Sequence, residues 1–258
     1  MAENDILRDI PELDYSESSS YCNPEEFEKL VEARRSCRVY TKDPVPEEIM
    51  RKCLDLALLA PNSSNLQAWE FYWVRDPDKR KKLDFFCLDQ PAAKTAAEII
   101  VAVAYPNKWK VTRELMLDRF SKEEDQHAIR GAVHYYKKIV PLAYTPGFLG
   151  LFGLAKKIYM NWKGIWAPFP RKPSTHADMK TWAHKSTALA CQNFMMAVRA
   201  HGYDTCPMEG LDQYRIARLL ELPIGAEVCM AISVGKRAEN GIYGPRIRFD
   251  RDLFVKEI

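Results

Sequence analysis

Arg34-Arg35-Ser36-Cys37-Arg38 and Pro245-Arg246-Ile247-Arg248, at opposite ends of the 258-residue chain, are the most informative stretches of this sequence. Arginine presents a planar fork of N–H donors that matches a phosphate group, and it stays charged at physiological pH. Several arginines that converge on one point therefore favour a dianionic ligand. Each cluster also has an ordinary interpretation, the first as cations at the C-terminal end of a helix and the second as a solvated tail.

Two further segments combine with these clusters. In Ala60-Pro61-Asn62-Ser63-Ser64-Asn65-Leu66-Gln67-Ala68-Trp69, small polar residues follow a predicted helix at 47–59 and precede a strand-like run. Such side chains can line a flat polar ring edge, but they are also ordinary turn formers. Cys206-Pro207-Met208-Glu209-Gly210 links two predicted helices, and its proline and glycine allow the backbone to approach a ligand.

These four motifs, taken in order, resemble the FMN-dependent nitroreductase family. The resemblance covers residues 25–105 and 185–258, roughly three fifths of the chain. It implies a nitroreductase-like three-layer α/β/α sandwich, in the α+β class, with a small mixed or antiparallel sheet. It also implies an interlocked homodimer in which the two subunits share the active sites.

The resemblance assigns a role to each motif. Arg34, Arg246 and Arg248 would clamp the FMN phosphate, and Arg38 would lie beside the N1/O2 edge of the flavin. The polar run would come from the other subunit, and the backbone of Glu209 and Gly210 would lie near N5. The complete set of implied cofactor-binding residues is Arg34, Arg35, Ser36, Arg38, Asn62, Ser63, Ser64, Asn65, Gln67, Pro207, Met208, Glu209, Gly210, Arg246 and Arg248.

The sequence departs from the family pattern in the middle motif. The common Gln-Pro-Trp is Gln67-Ala68-Trp69 here, and Asn62 replaces a frequent serine. A further polar pair that contacts FMN in the family cannot be placed among Asp89, Gln90 and Lys94.

The activity implied by the resemblance is that of an NAD(P)H-dependent FMN oxidoreductase. Hydride from NAD(P)H would pass through FMN to an electron-poor, hydrophobic acceptor, a nitroaromatic or quinone, in a ping-pong cycle. Arg38 and the backbone of Glu209 would tune the flavin, and no side chain is identified as a general acid. Two alternatives stay open: another chemistry of the superfamily, such as reductive dehalogenation or flavin breakdown, and a flavin-containing module that binds a membrane or a protein.

Composition limits the other classes of function. The net charge is only +3 with both signs interspersed, so a nucleic-acid footprint is not indicated. Seven cysteines without Cys-x-x-Cys spacing favour reduced thiols in the cytoplasm, and the five histidines lack metal-ligand spacing, so we expect no metal. The first residues have no signal-peptide pattern.

Hydrophobic periodicity predicts helices at 27–36, 47–59, 77–86, 177–201 and 212–221, and strands at 69–75, 98–105 and 227–235. Strands separated by helices favour an α+β sandwich around a small sheet. We expect a single domain over 1–258, with an N-terminal arm at 1–23 and a tail at 245–258. Resemblance implies that this tail crosses to the partner subunit.

Residues 106–176 form an insertion with an uncharged centre, Ile139–Ala155, followed by aromatic residues to Phe169. Prolines and glycines within it disfavour a transmembrane span. Two interpretations remain: a helical lid over the flavin, or a peripheral membrane contact through residues 139–169. Either favours a hydrophobic acceptor, and the second would place the cytoplasmic protein at a membrane surface.

Overall fold

The computed structural model describes residues 16–123, 129–145 and 151–258. Its helices are α1 (Pro24–Ala33), α2 (Glu47–Leu58), α3 (Pro77–Phe86), α4 (Pro91–Lys94), α5 (Trp109–Ser121), α6 (Arg130–His134), α7 (Val140–Tyr144), α8 (Leu151–Trp166), α9 (His176–Ala200) and α10 (Gln213–Leu219), with a π-helical turn at Tyr135–Ile139. Its strands are β1 (Trp69–Trp73), β2 (Glu98–Ala104), β3 (Asp204–Met208) and β4 (Glu227–Gly235). Residues 1–15 of the predicted arm, and residues 124–128 and 146–150 of the insertion, lie outside the described part.

The four strands form one sheet in the order β1-β2-β4-β3, and every neighbouring pair is antiparallel. The central strands β2 and β4 are buried along almost their whole length. Because side chains alternate across a strand, Ile100 and Ala102 of β2 face one apolar cluster while Ile99 and Val101 face another. Helices cover both faces, so the predicted α+β three-layer sandwich is confirmed, with an antiparallel sheet.

Helices α2 and α9 pack together on one face of the sheet. Met50 and Cys53 of α2 and Phe194 of α9 are completely buried in the same cluster as Ile100. On the other face, Leu83 of α3 and Ile216 of α10 are buried beside Ile99. The sheet is thus a rigid scaffold, and the loops at its ends carry the candidate site. None of the described helices is both long enough and apolar enough to span a bilayer.

The first predicted helix was placed too late in the sequence. We predicted residues 27–36, but α1 runs from Pro24 to Ala33, because Asn23 caps it by accepting a hydrogen bond from the Glu25 N–H and Pro24 suits its first turn. Arg34 already has extended backbone angles. The arginines therefore follow the helix and do not form its last turn.

The segment Cys206–Gly210, predicted as a linker between two helices, begins instead as a strand. Its first three residues belong to β3, at the edge of the sheet. Pro207 cannot donate a ladder hydrogen bond, and an edge strand is where this loss is tolerated. Glu209 and Gly210 follow the strand and are exposed.

The N-terminus of α9 is held by a reciprocal capping box. Thr175 Oγ1 accepts from the Asp178 N–H, and Asp178 Oδ2 accepts from the backbone N–H groups of Ser174 and Thr175, all at 3.1 Å. Burial opposes ionisation of Asp178, but these hydrogen bonds outweigh it and hold the pKa of its carboxyl well below the ordinary value.

Replacing Asp178 with asparagine is expected to lower the free energy of unfolding at neutral pH by about 1 to 2 kcal/mol. Because the folded-state pKa is depressed, the stabilisation by Asp178 is fully present above the unfolded pKa, about 4, and is lost as the pH falls below it. Urea unfolding at neutral and at acidic pH should therefore show a gap between wild type and Asp178→Asn that narrows on acidification. A gap that is constant with pH would contradict this assignment.

Candidate functional site

A cavity of about 320 Å³ lies between residues 34–38 and residues 242–248. Five of the residues that line this cavity are arginines, and no aspartate or glutamate lines it. The two arginine clusters, more than 200 residues apart in sequence, therefore line one cavity. The full lining is Arg34, Arg35, Ser36, Arg38, Ile242, Tyr243, Gly244, Pro245, Arg246, Ile247 and Arg248.

Direct hydrogen bonds join the two walls of this cavity. Arg246 Nη2 donates to the carbonyl oxygens of Glu32 at 2.6 Å and Arg34 at 2.7 Å. In the reverse direction, Arg35 Nη2 donates to the Gly244 carbonyl at 2.6 Å. The guanidinium of Arg38 lies 5.3 Å from the ring centroid of Tyr243, a cation–π contact. The tail is thus fixed against the arginine loop within one chain.

The charge of the cavity has no partner within the described part of the chain. None of its five arginines pairs with a carboxylate there, although most other arginines of the molecule do. Burial lowers the pKa of Arg34, and the neighbouring Arg246, Arg248 and Arg35 lower it further. Mutual repulsion of this kind is relieved by a bound anion. The donor set therefore fits a phosphate group.

Strand β3 lies directly beside the arginine loop. Ser36 forms a parallel bridge with Thr205, and the Cys37 N–H donates to the Thr205 carbonyl at 3.0 Å. This pairing explains why the chain leaves the helical path after Ala33. It also carries Pro207 to Gly210, the third predicted motif, to the same side of the molecule as the arginines.

Gly210 leaves room for a ligand next to the backbone. A Cβ atom at this position would have no neighbour within 4 Å. The Gly210 carbonyl accepts from Gln90 Nε2 at 2.7 Å. Sequence alone could not choose among Asp89, Gln90 and Lys94. The structure brings Gln90 to this motif, while Asp89 and Lys94 form an ion pair with each other.

The polar run Asn62–Gln67 lies elsewhere in the same chain. It does not line the arginine cavity; Gln67 lines a second cavity of about 610 Å³ between α2, β1 and α5, with Trp69, Glu70 and Lys108 among its walls. One chain thus brings together three of the four predicted motifs. That the fourth is supplied by a partner subunit stays a prediction.

The polar run is tied to the insertion by tyrosine hydroxyls. Ser64 Oγ hydrogen-bonds to Tyr135 at 2.6 Å and to Tyr144 at 2.9 Å, and the Tyr136 hydroxyl donates to the Ser64 carbonyl. Ser63 Oγ also contacts the Tyr144 hydroxyl at 2.9 Å. These tyrosines were not predicted from the sequence, because no local motif indicates them.

The backbone of the run is unusual in its own right. Ser64, Asn65 and Gln67 all have positive φ angles, a conformation that costs a non-glycine residue roughly 1 kcal/mol or more. The Gln67 N–H is fixed by Asn62 Oδ1 at 2.8 Å. The surrounding contacts thus hold the loop in one shape.

Comparison with known proteins identifies the family. Residues 31–236 match the profile of the nitroreductase family, so the chain belongs to it. The chain is 28% identical to the protein DrgA of Synechocystis sp. over 208 residues, which cover 80% of this chain and 82% of that protein.

Solved structures show the same fold. A nitroreductase-like protein from Streptococcus mutans superposes with a TM-score of 0.66 at 22% identity, covering 91% of this chain and 98% of that one. The NADPH:FMN oxidoreductase from Vibrio harveyi, complexed with NAD⁺, superposes with a TM-score of 0.57 at 20% identity, covering 89% and 75% of the respective chains. The nitroreductase-like fold expected from the sequence is confirmed.

Proposed function

We propose that this protein is an NAD(P)H-dependent oxidoreductase that binds FMN with its phosphate in the arginine cavity. Its acceptor would be an electron-poor, hydrophobic molecule, a nitroaromatic or a quinone. The observation that carries the assignment is the cavity itself: five converging arginines without a carboxylate among them. Family membership supports it, as does the structural likeness to the NADPH:FMN oxidoreductase of Vibrio harveyi.

Each wall of the cavity would have its own task. Arg34, Arg246 and Arg248 would hold the phosphate through charge-assisted hydrogen bonds, which are roughly twice as strong as neutral ones. Arg38 would offer positive charge to the flavin ring. It lies next to β3, close enough for its charge to lower the pKa of the buried Cys206 thiol, although burial raises that pKa by more. The same guanidinium group thus lies on the path from the phosphate cavity to the segment expected beside the ring.

The segment after β3 would supply backbone to the ring. Gly210 has open space where a side chain would stand, and Gln90 orients its carbonyl. When bound, FMN would accept a hydride from the nicotinamide and pass the reducing equivalents on to the acceptor. The chain's own contribution would be to position the donor and acceptor in turn and to stabilise negative charge near Arg38.

A homodimer would complete the site by bringing the polar run of one chain to the arginine cavity of the other. Exposed leucines at the end of α2 and just beyond it, Leu56, Leu58 and Leu59, adjoin this run and give it an apolar border. Burial of that border between two subunits would be favourable. The cytoplasmic location expected from the cysteines and the peripheral membrane contact of residues 139–169 also stay proposals.

The test is an anaerobic absorbance spectrum of the purified protein before and after addition of NADH or NADPH. A yellow protein whose flavin absorbance bleaches, and returns when a nitroaromatic or a quinone is added, would support the assignment. A protein that stays colourless after incubation with FMN would contradict it. A flavin that is retained but never reduced would instead favour the binding-module alternative.

A further inference from the structure

Helix α8 presents a broad apolar face to solvent. Successive residues of an α-helix are rotated by about 100°, so positions 154, 158, 162, 165 and 166 fall on one side of it. The side chains there are all large, and they are Leu154 (57% exposed), Ile158 (64%), Trp162 (57%), Ile165 (71%) and Trp166 (79%). Soluble surfaces rarely leave so much contiguous apolar area uncovered.

The opposite side of α8 is fastened to the rest of the chain. Met160 and Gly153 are buried there. Lys156 Nζ donates to the carbonyls of Ala143 at 2.7 Å and Leu142 at 3.3 Å, which anchors α8 to the end of α7. Burial lowers the pKa of Lys156. Because this side is engaged, the apolar face cannot turn inward without breaking the attachment.

The stretch of sequence that contains α8 carries basic side chains and no acidic ones. Residues 126–177 contain eight lysines and arginines and not one aspartate or glutamate. The whole chain has 38 basic and 35 acidic side chains, so the remainder is net acidic. The basic residues on and beside α8 include exposed Lys157, Lys163 and Arg171, while Lys172 is exposed but pairs with Asp178 at 3.4 Å. Positive charge is thus concentrated where the apolar face lies.

We propose that α8 is an interfacial helix that lies flat on an anionic phospholipid surface. Lysines on the polar side of such a helix, with tryptophan and isoleucine on the other, match the pattern of helices that bury their apolar face at the headgroup boundary. Trp162 and Trp166 suit this depth, where an indole ring has both apolar and hydrogen-bonding neighbours. With 16 residues, α8 is about 24 Å long, which suits a surface orientation.

Charge decides between a membrane and a second copy of the chain as the occupant of this face. A two-fold dimer through α8 would place two exclusively basic stretches against each other, and like charges repel. An anionic lipid surface attracts the same stretch, and each basic residue close to that surface contributes about 1 kcal/mol of binding free energy. Membrane binding needs only α8 and its basic border, so it would persist even if the protein bound no flavin.

The direct test is co-sedimentation of the full-length protein with vesicles of equal parts phosphatidylcholine and phosphatidylglycerol, against vesicles of phosphatidylcholine alone. We expect binding to the anionic vesicles that weakens as salt is added. Tryptophan emission should shift to the blue on binding, because Trp162 and Trp166 are exposed while Trp69, Trp109 and Trp182 are already buried.

Matched variants separate the apolar face from the charge. Ile165→Glu should abolish binding, whereas Ile224→Glu, at another exposed isoleucine remote in sequence, should leave it intact. Lys157→Glu with Lys163→Glu should weaken partitioning roughly tenfold or more, since each lysine contributes about 1 kcal/mol. Lys81→Glu with Lys82→Glu changes the net charge equally on α3 and should have a much smaller effect.

Two kinds of result would overturn the proposal. The first is wild-type protein that stays in the supernatant with anionic vesicles, or an Ile165→Glu variant that binds them as wild type does. The second is a wild-type oligomer that Ile165→Glu dissociates in sedimentation equilibrium without any vesicle binding by either protein. That second result would assign the face to another copy of the chain.

Discussion

Replacing Arg246 and Arg248 together with alanine is expected to strip FMN from the protein while leaving it folded. Each lost charge-assisted contact costs roughly 1.5 to 3 kcal/mol, so the Kd for FMN should rise by about 10² to 10⁴. Both side chains are exposed and lie outside the apolar clusters, so the core stays intact. Flavin content by absorbance, the Kd by equilibrium dialysis and the fold by circular dichroism would be measured.

The control is the double variant Arg251→Ala with Lys256→Ala. It removes the same charge from the same tail at positions that do not line the cavity, so FMN should be retained. The single variants then divide the effect. Arg248→Ala removes a charge without breaking a bond between the two walls of the cavity, because its guanidinium donates to the carbonyl of the neighbouring Ile247. Arg246→Ala removes a charge and also breaks the bonds to Glu32 and Arg34. Full flavin occupancy in the cavity double variant would contradict the phosphate assignment.

The expected rise in the Kd for FMN is large because the arginines of the cavity repel one another when no anion is bound. Burial and three neighbouring arginines lower the pKa of Arg34, which means that the folded chain bears a repulsion that a phosphate would relieve. Binding a ligand to the folded state alone stabilises it. FMN should therefore also raise the thermal midpoint of the wild type, and this shift should shrink in the Arg246→Ala/Arg248→Ala variant.

The sequence predicted three of the four strands but misplaced the path of the chain around the site. The run 98–105 is almost continuously apolar, and such a run predicts a buried strand whatever surrounds it. The end of α1 depends instead on the bridge between Ser36 and Thr205. This pairing spans most of the chain, so local periodicity extended the helix to 36, beyond its end at Ala33.

Strand β3 was missed for a related reason. Pro207 disfavours a strand assignment unless the strand is known to lie at a sheet edge, and edge position follows from the complete topology. The hydrogen bonds between Ser64 and the hydroxyls of Tyr135 and Tyr144 likewise join residues that are far apart in sequence. The resemblance found the arginines, but it gave no information on the insertion, which departs most from the family pattern.

Asp204 holds together the elements that carry one wall of the arginine cavity. It is buried at the start of β3, and its carboxylate accepts from Arg199 Nη1 at 2.9 Å and from Arg237 Nε at 3.1 Å and Nη2 at 2.5 Å. These contacts join the end of α9, the start of β3 and the second residue after β4. The next residue, Thr205, pairs with the arginine loop. Asp204 therefore connects the scaffold with the wall of the cavity.

Replacing Asp204 with asparagine is expected to lower the free energy of unfolding by about 3 kcal/mol, because two arginines would lose their buried counter-ion. The range for such losses is roughly 3 to 5 kcal/mol, and the lower end applies since both guanidinium groups keep some contact with solvent. Urea unfolding would measure this loss of free energy, and the m-values of wild type and variant should be equal. Asp43→Asn, which breaks the exposed pair with Lys236, is the matched control and should change the midpoint little. An Asp204→Asn midpoint as high as that of Asp43→Asn would show that the buried carboxylate does not hold these elements together.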